Sequence, residues 1–270
     1  MTTSDTSTNG QSLTLRGLTK VFGSQANGLT AVQSVDLEVN PGEFLAIVGP
    51  SGCGKSTLLQ MVAGLMSPTQ GNVMMGDRDV TGEPAHMVYL FQQYAKSLLP
   101  WMTVEENVKF SFSHRMSLSA AATRERCREY LAMVGLADFN RHYPWQLSGG
   151  MQQRVAIARA LAAEPSVLLL DEPFSSVDAL TRLDLHALML ELWTQKRFTA
   201  VLVTHDVDEA VFLSDRIAVL SHRPGSIVEI VETNMPRPRH AVETHADPRF
   251  IAVRQKLLSF LLKKPEKSNV

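Results

Sequence analysis

Residues 49–56 read Gly-Pro-Ser-Gly-Cys-Gly-Lys-Ser, three glycines closing on a lysine and a hydroxyl. Glycines let successive backbone N–H groups curl around phosphate oxygens, and a helix starting here adds its positive end. Lys55 is expected to reach the β- and γ-phosphates of a nucleotide and the Ser56 hydroxyl to hold Mg²⁺. Gly49, Pro50, Ser51, Gly52, Cys53, Gly54 and Thr57 complete this loop. Further on, Leu168–Pro173 reads Leu-Leu-Leu-Asp-Glu-Pro. Asp171 at the end of a buried strand is suited to the water shell of Mg²⁺, and Glu172 to polarising an attacking water. In a third segment, Leu147–Gln153, residues Ser148, Gly149 and Gly150 describe a helix N-terminus with a capping serine and bare backbone, a second anion site. One nucleotide phosphate cannot use both anion sites of one chain. That redundancy implies two chains closing on nucleotide.

The elements that must position these groups are legible from periodicity. Residues 13–22 and 30–40 read as strands, the second ended by Pro41-Gly42. Phe44–Val48, Val167–Leu170 and Thr199–Val203 are continuous apolar runs of strand length, as in strands buried on both sheet faces. The first feeds straight into the glycine loop and a helix over Lys55–Gly64, which Gly64 can terminate. Alternation of such strands with helices predicts an α/β fold with a mostly parallel sheet. Thr103–Phe112, Ser119–Val134 and Met151–Ala162 are helical by period and propensity, with Ser119 a cap, which predicts a helical insert over about 93–160. From Ser221 onward Pro224-Gly225, Pro236 and Pro238 predict a loop-like stretch. Asp247-Pro248 then opens a short amphipathic helix bearing Phe250, Val253, Leu257 and Leu261. The chain beyond Lys264 is expected to fray.

The bulk numbers set limits. A chain of 270 residues, 44% hydrophobic, buries one full core with at most a small appendage. A formal charge of −1 supplies no drive toward nucleic acid or an anionic membrane surface. The two cysteines, Cys53 in the glycine loop and Cys127 in a charged helical stretch, build no disulfide scaffold or metal site, which fits a reducing compartment. Met1–Ser12 is polar, without the basic-then-apolar pattern of a signal peptide. No apolar run approaches the roughly 20 residues needed to cross a bilayer. Any membrane role is expected to come through a partner.

In order, the segments resemble those of the ATP-binding subunit of an ATP-binding-cassette (ABC) transporter, over about Leu13 to Pro238. That family's order is glycine loop, Q-loop, LSGGQ-type signature, Asp-Glu box, D-loop and switch histidine. Here the same order reads Gly49–Ser56, Gln92, Leu147–Met151, Asp171-Glu172, Ser175–Asp178 and His205. The signature is LSGGM, keeping the serine and both glycines; the D-loop is Ser-Ser-Val-Asp, keeping Asp178. Leu98-Leu99-Pro100-Trp101 and His222–Val228 are similar to the importer subgroup for nitrate, taurine, aliphatic sulfonates and related small organic compounds.

The resemblance implies a P-loop NTPase core with an antiparallel β subdomain toward the N-terminus and a helical signature subdomain. It also implies a tail over 1–11, an ATPase domain over 12–236 and a C-terminal extension over 237–270. It implies a head-to-tail homodimer with each ATP between one chain's Lys55 loop and the other's Ser148–Gly150. Gln92 would touch Mg²⁺ and relay nucleotide state, His205 would meet the γ-phosphate and hold the attacking water, Asp178 would serve the D-loop, and Phe22 would stack on adenine. The implied partners are permease subunits at the cytoplasmic face of the inner membrane and, indirectly, an external solute-binding protein, with no nucleic acid. The alternative is a soluble ATPase of the same fold acting on nucleic acid or a cytosolic assembly. Against it stand a single cassette, no coiled-coil insert and no basic arm.

Overall fold

The computed structural model describes residues 9–23, 28–92, 97–113 and 116–262. In chain order these form β1 (Leu13–Phe22), β2 (Leu29–Val39), β3 (Phe44–Val48), α1 (Lys55–Val62), β4 (Gln70–Met75), β5 (Arg78–Asp79) and β6 (Met87–Leu90). There follow α2 (Val104–Phe110), α3 (Ala120–Met133), α4 (Gly149–Ala162), β7 (Val167–Asp171) and α5 (Ala179–Lys196). The last elements are β8 (Thr199–Thr204), α6 (Val207–Leu213), β9 (Arg216–Leu220), β10 (Ile227–Glu232), α7 (Ala241–Ala246) and α8 (Pro248–Leu261). The described residues fall into two compact units, one drawn from within 1–85 and 197–270 and one from within 86–196.

The first unit holds an antiparallel sheet ordered β2-β1-β4-β5. β2 alternates inward Val35, Leu37 and Val39 with outward polar residues, the pattern of a sheet with one solvated face. The same unit holds β3 at the centre of a parallel arrangement, paired with β8 on one side and β9 on the other. Every residue of β3 and β8 is buried, which is why both read as unbroken apolar runs. β3 therefore delivers its C-terminal end, and the glycine loop after it, from a rigid position.

One expectation fails here. The stretch after Ser221 is not loop throughout: Ile227–Glu232 forms β10, antiparallel to β9. Only Val231 of its six residues is buried, so an edge strand next to Pro224-Gly225 lacks the apolar run that betrays its neighbours. The expected C-terminal helix is present as α8, capped by the Asp247 carboxylate on the Arg249 N–H, with Phe250 and Leu257 buried. It packs against α6, and its cations are engaged: Arg254 pairs with Asp208 at 2.9 Å and Lys256 with Glu229 at 3.0 Å. That is the bonding of a docked appendage. The expected frayed terminus and residues 1–8 of the expected tail lie outside the described residues; the Gln11 carbonyl accepts from Thr199 Oγ1.

Among its described residues from 97 to 162 the second unit holds helices joined by turns, and no strand. Thr103 caps α2 in a reciprocal capping box with Glu106, and Ser119 caps α3. Buried Asn107 ties the turn before α2 together, its amide donating to the carbonyls of Leu99, Met102 and Thr103. β6 and β7 pair in parallel, Tyr89 beside Leu169 and Leu90 beside Leu170. No helix among the described residues is long and apolar enough to cross a membrane.

Candidate functional site

In the first unit the glycine loop is built as a cradle. Gly54 sits at φ +104°, and a Cβ there would lie 2.7 Å from the Ala31 carbonyl oxygen, so only glycine fits. Lys55, buried, donates from Nζ to the carbonyls of Gly49 at 2.7 Å and Pro50 at 3.0 Å. The ammonium is thereby curled over the loop it serves, with Ser51, Gly52 and Ser56 on the exposed side. Cys53 is buried within the loop, and burial pushes its thiol above the usual range. No side chain caps the start of α1, the helix end whose partial positive charge favours an anion.

A brace holds this loop from outside. Arg223 donates to the Gly52 carbonyl from Nε at 3.0 Å and Nη2 at 2.8 Å. Its segment is pinned to β2 by Gly225 N–H to the Ala31 carbonyl and Gln33 N–H to the Gly225 carbonyl, both 2.9 Å. His205 stands exposed just past β8. The next residue, Asp206, caps α6 through the N–H groups of Asp208 and Glu209. Phe22 ends β1 outside the core, 40% exposed, with Lys20 Nζ 5.4 Å from its ring centroid.

In the second unit, Asp171 ends β7 buried and Glu172 follows it at φ +45°, a conformation that carbonyl contacts from Ser175 N–H and Oγ hold in place. Gln92 Nε2 donates to Glu172 Oε2 at 3.0 Å, and Tyr89 Oη donates to Asp171 Oδ2 at 2.7 Å. Burial and the Asp171 charge push the Tyr89 hydroxyl far above its ordinary pKa, so it remains a donor. Ser148 caps α4, its Oγ accepting from the Met151 N–H at 3.3 Å. The signature turn and the D-loop meet within this unit. The Asp178 carboxylate accepts from the Thr181 N–H, and the Thr181 methyl leaves no room for a Cβ on Gly150. One turn into α4, buried Gln153 donates to the Pro173 carbonyl, tying the signature helix to the segment bearing Glu172.

Sequence reasoning had singled out Gln92, Asp171, Glu172, Ser148–Gly150 and Asp178, but not Tyr89 or Gln153. The signal for Tyr89 is register: Tyr89 pairs with Leu169, and Asp171 lies two residues on, on the same strand face. Arg223 lies within the His222–Val228 segment, yet nothing local in the sequence says that it grips the loop.

A glycine loop between a buried parallel strand and a helix defines the class: an α/β P-loop NTPase. The family model described as ABC transporter matches residues 32–175. The chain belongs to the ABC transporter ATP-binding family and is an ATP-using ATPase of it. It is 45% identical over 252 residues to an uncharacterised ABC transporter ATP-binding protein of Methanocaldococcus jannaschii, covering 92% of this chain and 91% of that one. It is 43% identical over 247 residues to an aliphatic sulfonates import ATP-binding protein of Bacillus licheniformis, covering 92% and 93%. A bicarbonate transport ATP-binding protein of Synechocystis is 43% identical over 251 residues, covering 92% and 88%. Among solved structures, a dimeric bacterial ABC transporter cassette matches with a TM-score of 0.71 and 34% identity over 82% of this chain and 98% of that one. A dimeric post-hydrolysis state of such a cassette, bound to ADP and Pi, matches with a TM-score of 0.70 at the same identity and coverage.

Proposed function

We propose that this chain is the ATP-hydrolysing subunit of an importer, working as a homodimer on the cytoplasmic face of a membrane permease. The observation that carries the reading is the pair of anion-binding helix starts in one chain, the loop before α1 and the Ser148 turn before α4. The names of the sulfonate and bicarbonate relatives support import of a small solute, and the reading for this chain is nitrate, taurine, an aliphatic sulfonate or a related organic compound. Selection of that solute belongs to the permease and to the external binding protein.

In this reading Gly49–Gly54 and Thr57 wrap the phosphates and Lys55 leaves the Gly49 and Pro50 carbonyls for the β- and γ-phosphates. Phe22 offers its exposed ring to adenine. The Ser56 hydroxyl, the Asp171 carboxylate and the Gln92 amide oxygen are the hard oxygens that would hold Mg²⁺, which takes few protein ligands beside phosphate and water. Bound Mg²⁺ supplies charge neutralisation on the β- and γ-oxygens. Glu172 draws a proton from the water whose oxygen attacks the γ-phosphorus as the bond to ADP breaks, and His205 holds that water and the γ-phosphate. Ser148, Gly149 and Gly150 close on the partner's nucleotide with Asp178 alongside. In the 98–101 segment Leu98 is core at 3% exposed, whereas Trp101 is 70% exposed and is offered to the permease.

Glu172→Gln tests the reading. ATP should convert the variant to a stable dimer by light scattering, with turnover reduced by orders of magnitude. A mild-detergent pull-down of the tagged chain should retain a multi-span membrane partner. Turnover at the parental rate would refute the role of Glu172, and recovery of soluble complexes alone would refute the importer.

A further inference from the structure

The two carboxylates at the end of β7 are each held by a side chain from the end of β6. Gln92 donates to Glu172, and Tyr89 donates to Asp171 at 2.7 Å. The two contacts differ in kind. Gln92 is exposed and lies beyond the strand, whereas Tyr89 lies within β6, half-buried, in register with Leu169. Its ring is packed against Phe91, with centroids 4.5 Å apart. A phenol fixed by both strand pairing and ring packing has one direction in which to point its hydroxyl. That direction ends on Asp171 Oδ2.

We propose that Tyr89 is a positioning residue for ATP hydrolysis: its hydroxyl occupies one oxygen of Asp171 and fixes the carboxylate rotamer that serves Mg²⁺. The inference rests on the reading of Asp171 as the Mg²⁺ acid. Hydrogen bonds from the next layer orient metal-facing carboxylates, and losing one costs typically 10- to 100-fold in metal affinity. Tyr89 makes no contact with the reacting atoms; it acts through Asp171. Tyr89 and Gln92 thus divide the work at this strand end, one contact built into the sheet and the other made by an exposed residue past the strand's end.

Tyr89→Phe removes the hydroxyl and keeps the ring on Phe91. The Mg²⁺ concentration giving half-maximal ATPase activity should rise about tenfold, while kcat at saturating Mg²⁺ falls no more than about threefold. Mn²⁺ binding, titrated by electron paramagnetic resonance with a non-hydrolysable ATP analogue present, should weaken by the same factor. Nucleotide binding in EDTA should match the parent. Asp171→Asn serves as the reference and should weaken Mn²⁺ binding further. Parental Mn²⁺ affinity in Tyr89→Phe with weakened affinity in Asp171→Asn overturns the positioning role alone. Parental affinity in both overturns the Asp171 reading together with it. A loss of kcat with an unmoved Mg²⁺ requirement also overturns the proposal, since that is what a purely structural tyrosine would give.

Discussion

Two helices of this chain start beside glycines and are proposed as anion sites, and they are finished differently. α1 starts at Gly54 in the left-handed region with no side-chain cap, and its loop is closed by its own buried lysine and braced by Arg223. α4 starts at an ordinary serine cap in extended conformation, the N–H of its third residue, Met151, already answered by Ser148 Oγ. A helix start without a cap gains most from a ligand, because the ligand supplies acceptors that nothing else offers. A capped start gains less from an anion, since the serine must share or give up its bond. Under the proposed function the difference predicts an order of events: the loop before α1 should capture nucleotide by itself, and the turn before α4 should join only when another molecule carries a phosphate to it.

The largest effect should follow from removing the charge of the first site. Lys55→Ala should cut kcat by at least about a hundredfold, on the order of 3 kcal/mol of lost stabilisation, read by phosphate release at saturating ATP. Near-parental turnover would make α1 no more specialised than α4. Next comes a lesion confined to the second site. Ser148→Arg in the Glu172→Gln background should abolish the ATP-dependent dimer seen by light scattering, while a fluorescent ATP analogue binds within about threefold of the parental affinity, as expected if α1 captures nucleotide without help. Loss of binding to the same degree as dimerisation would dissolve the distinction between capture and closure.

How much of this was readable beforehand follows the same divide between local and assembled features. The glycine loop, the acid pair and the Ser148 cap are contiguous in sequence, so their chemistry and their place between strand and helix could be read directly. The buried strands β3, β7 and β8 were legible because burial on both faces forces unbroken apolar runs. β10 was not: an edge strand with Glu229 and Glu232 beside Ile227 and Val231 carries a mixed pattern that its pairing with β9 alone explains. Tyr89, Gln153 and Arg223 were missed for one reason. Each acts on a residue distant in sequence, at separations of 82, 20 and 171 positions, and such partners become visible only once register and packing are known.

The smallest and most discriminating effect belongs to Arg223. Its guanidinium makes two hydrogen bonds to one carbonyl, yet it is exposed, so solvent screening leaves each worth little. Arg223→Ala should raise the dissociation constant for ATP about threefold and lower stability by about 0.5 kcal/mol, with faster amide exchange confined to the loop at 52–56. Bracing acts on binding by reducing the order that the ligand must impose on its own loop. The same change should leave the dimer formed by Glu172→Gln intact once ATP is saturating, because the turn before α4 owes nothing to Arg223. If exchange in the loop stays at the parental rate, glycine geometry and Lys55 alone hold the cradle. The contrast between the two helix starts would then reduce to one serine cap.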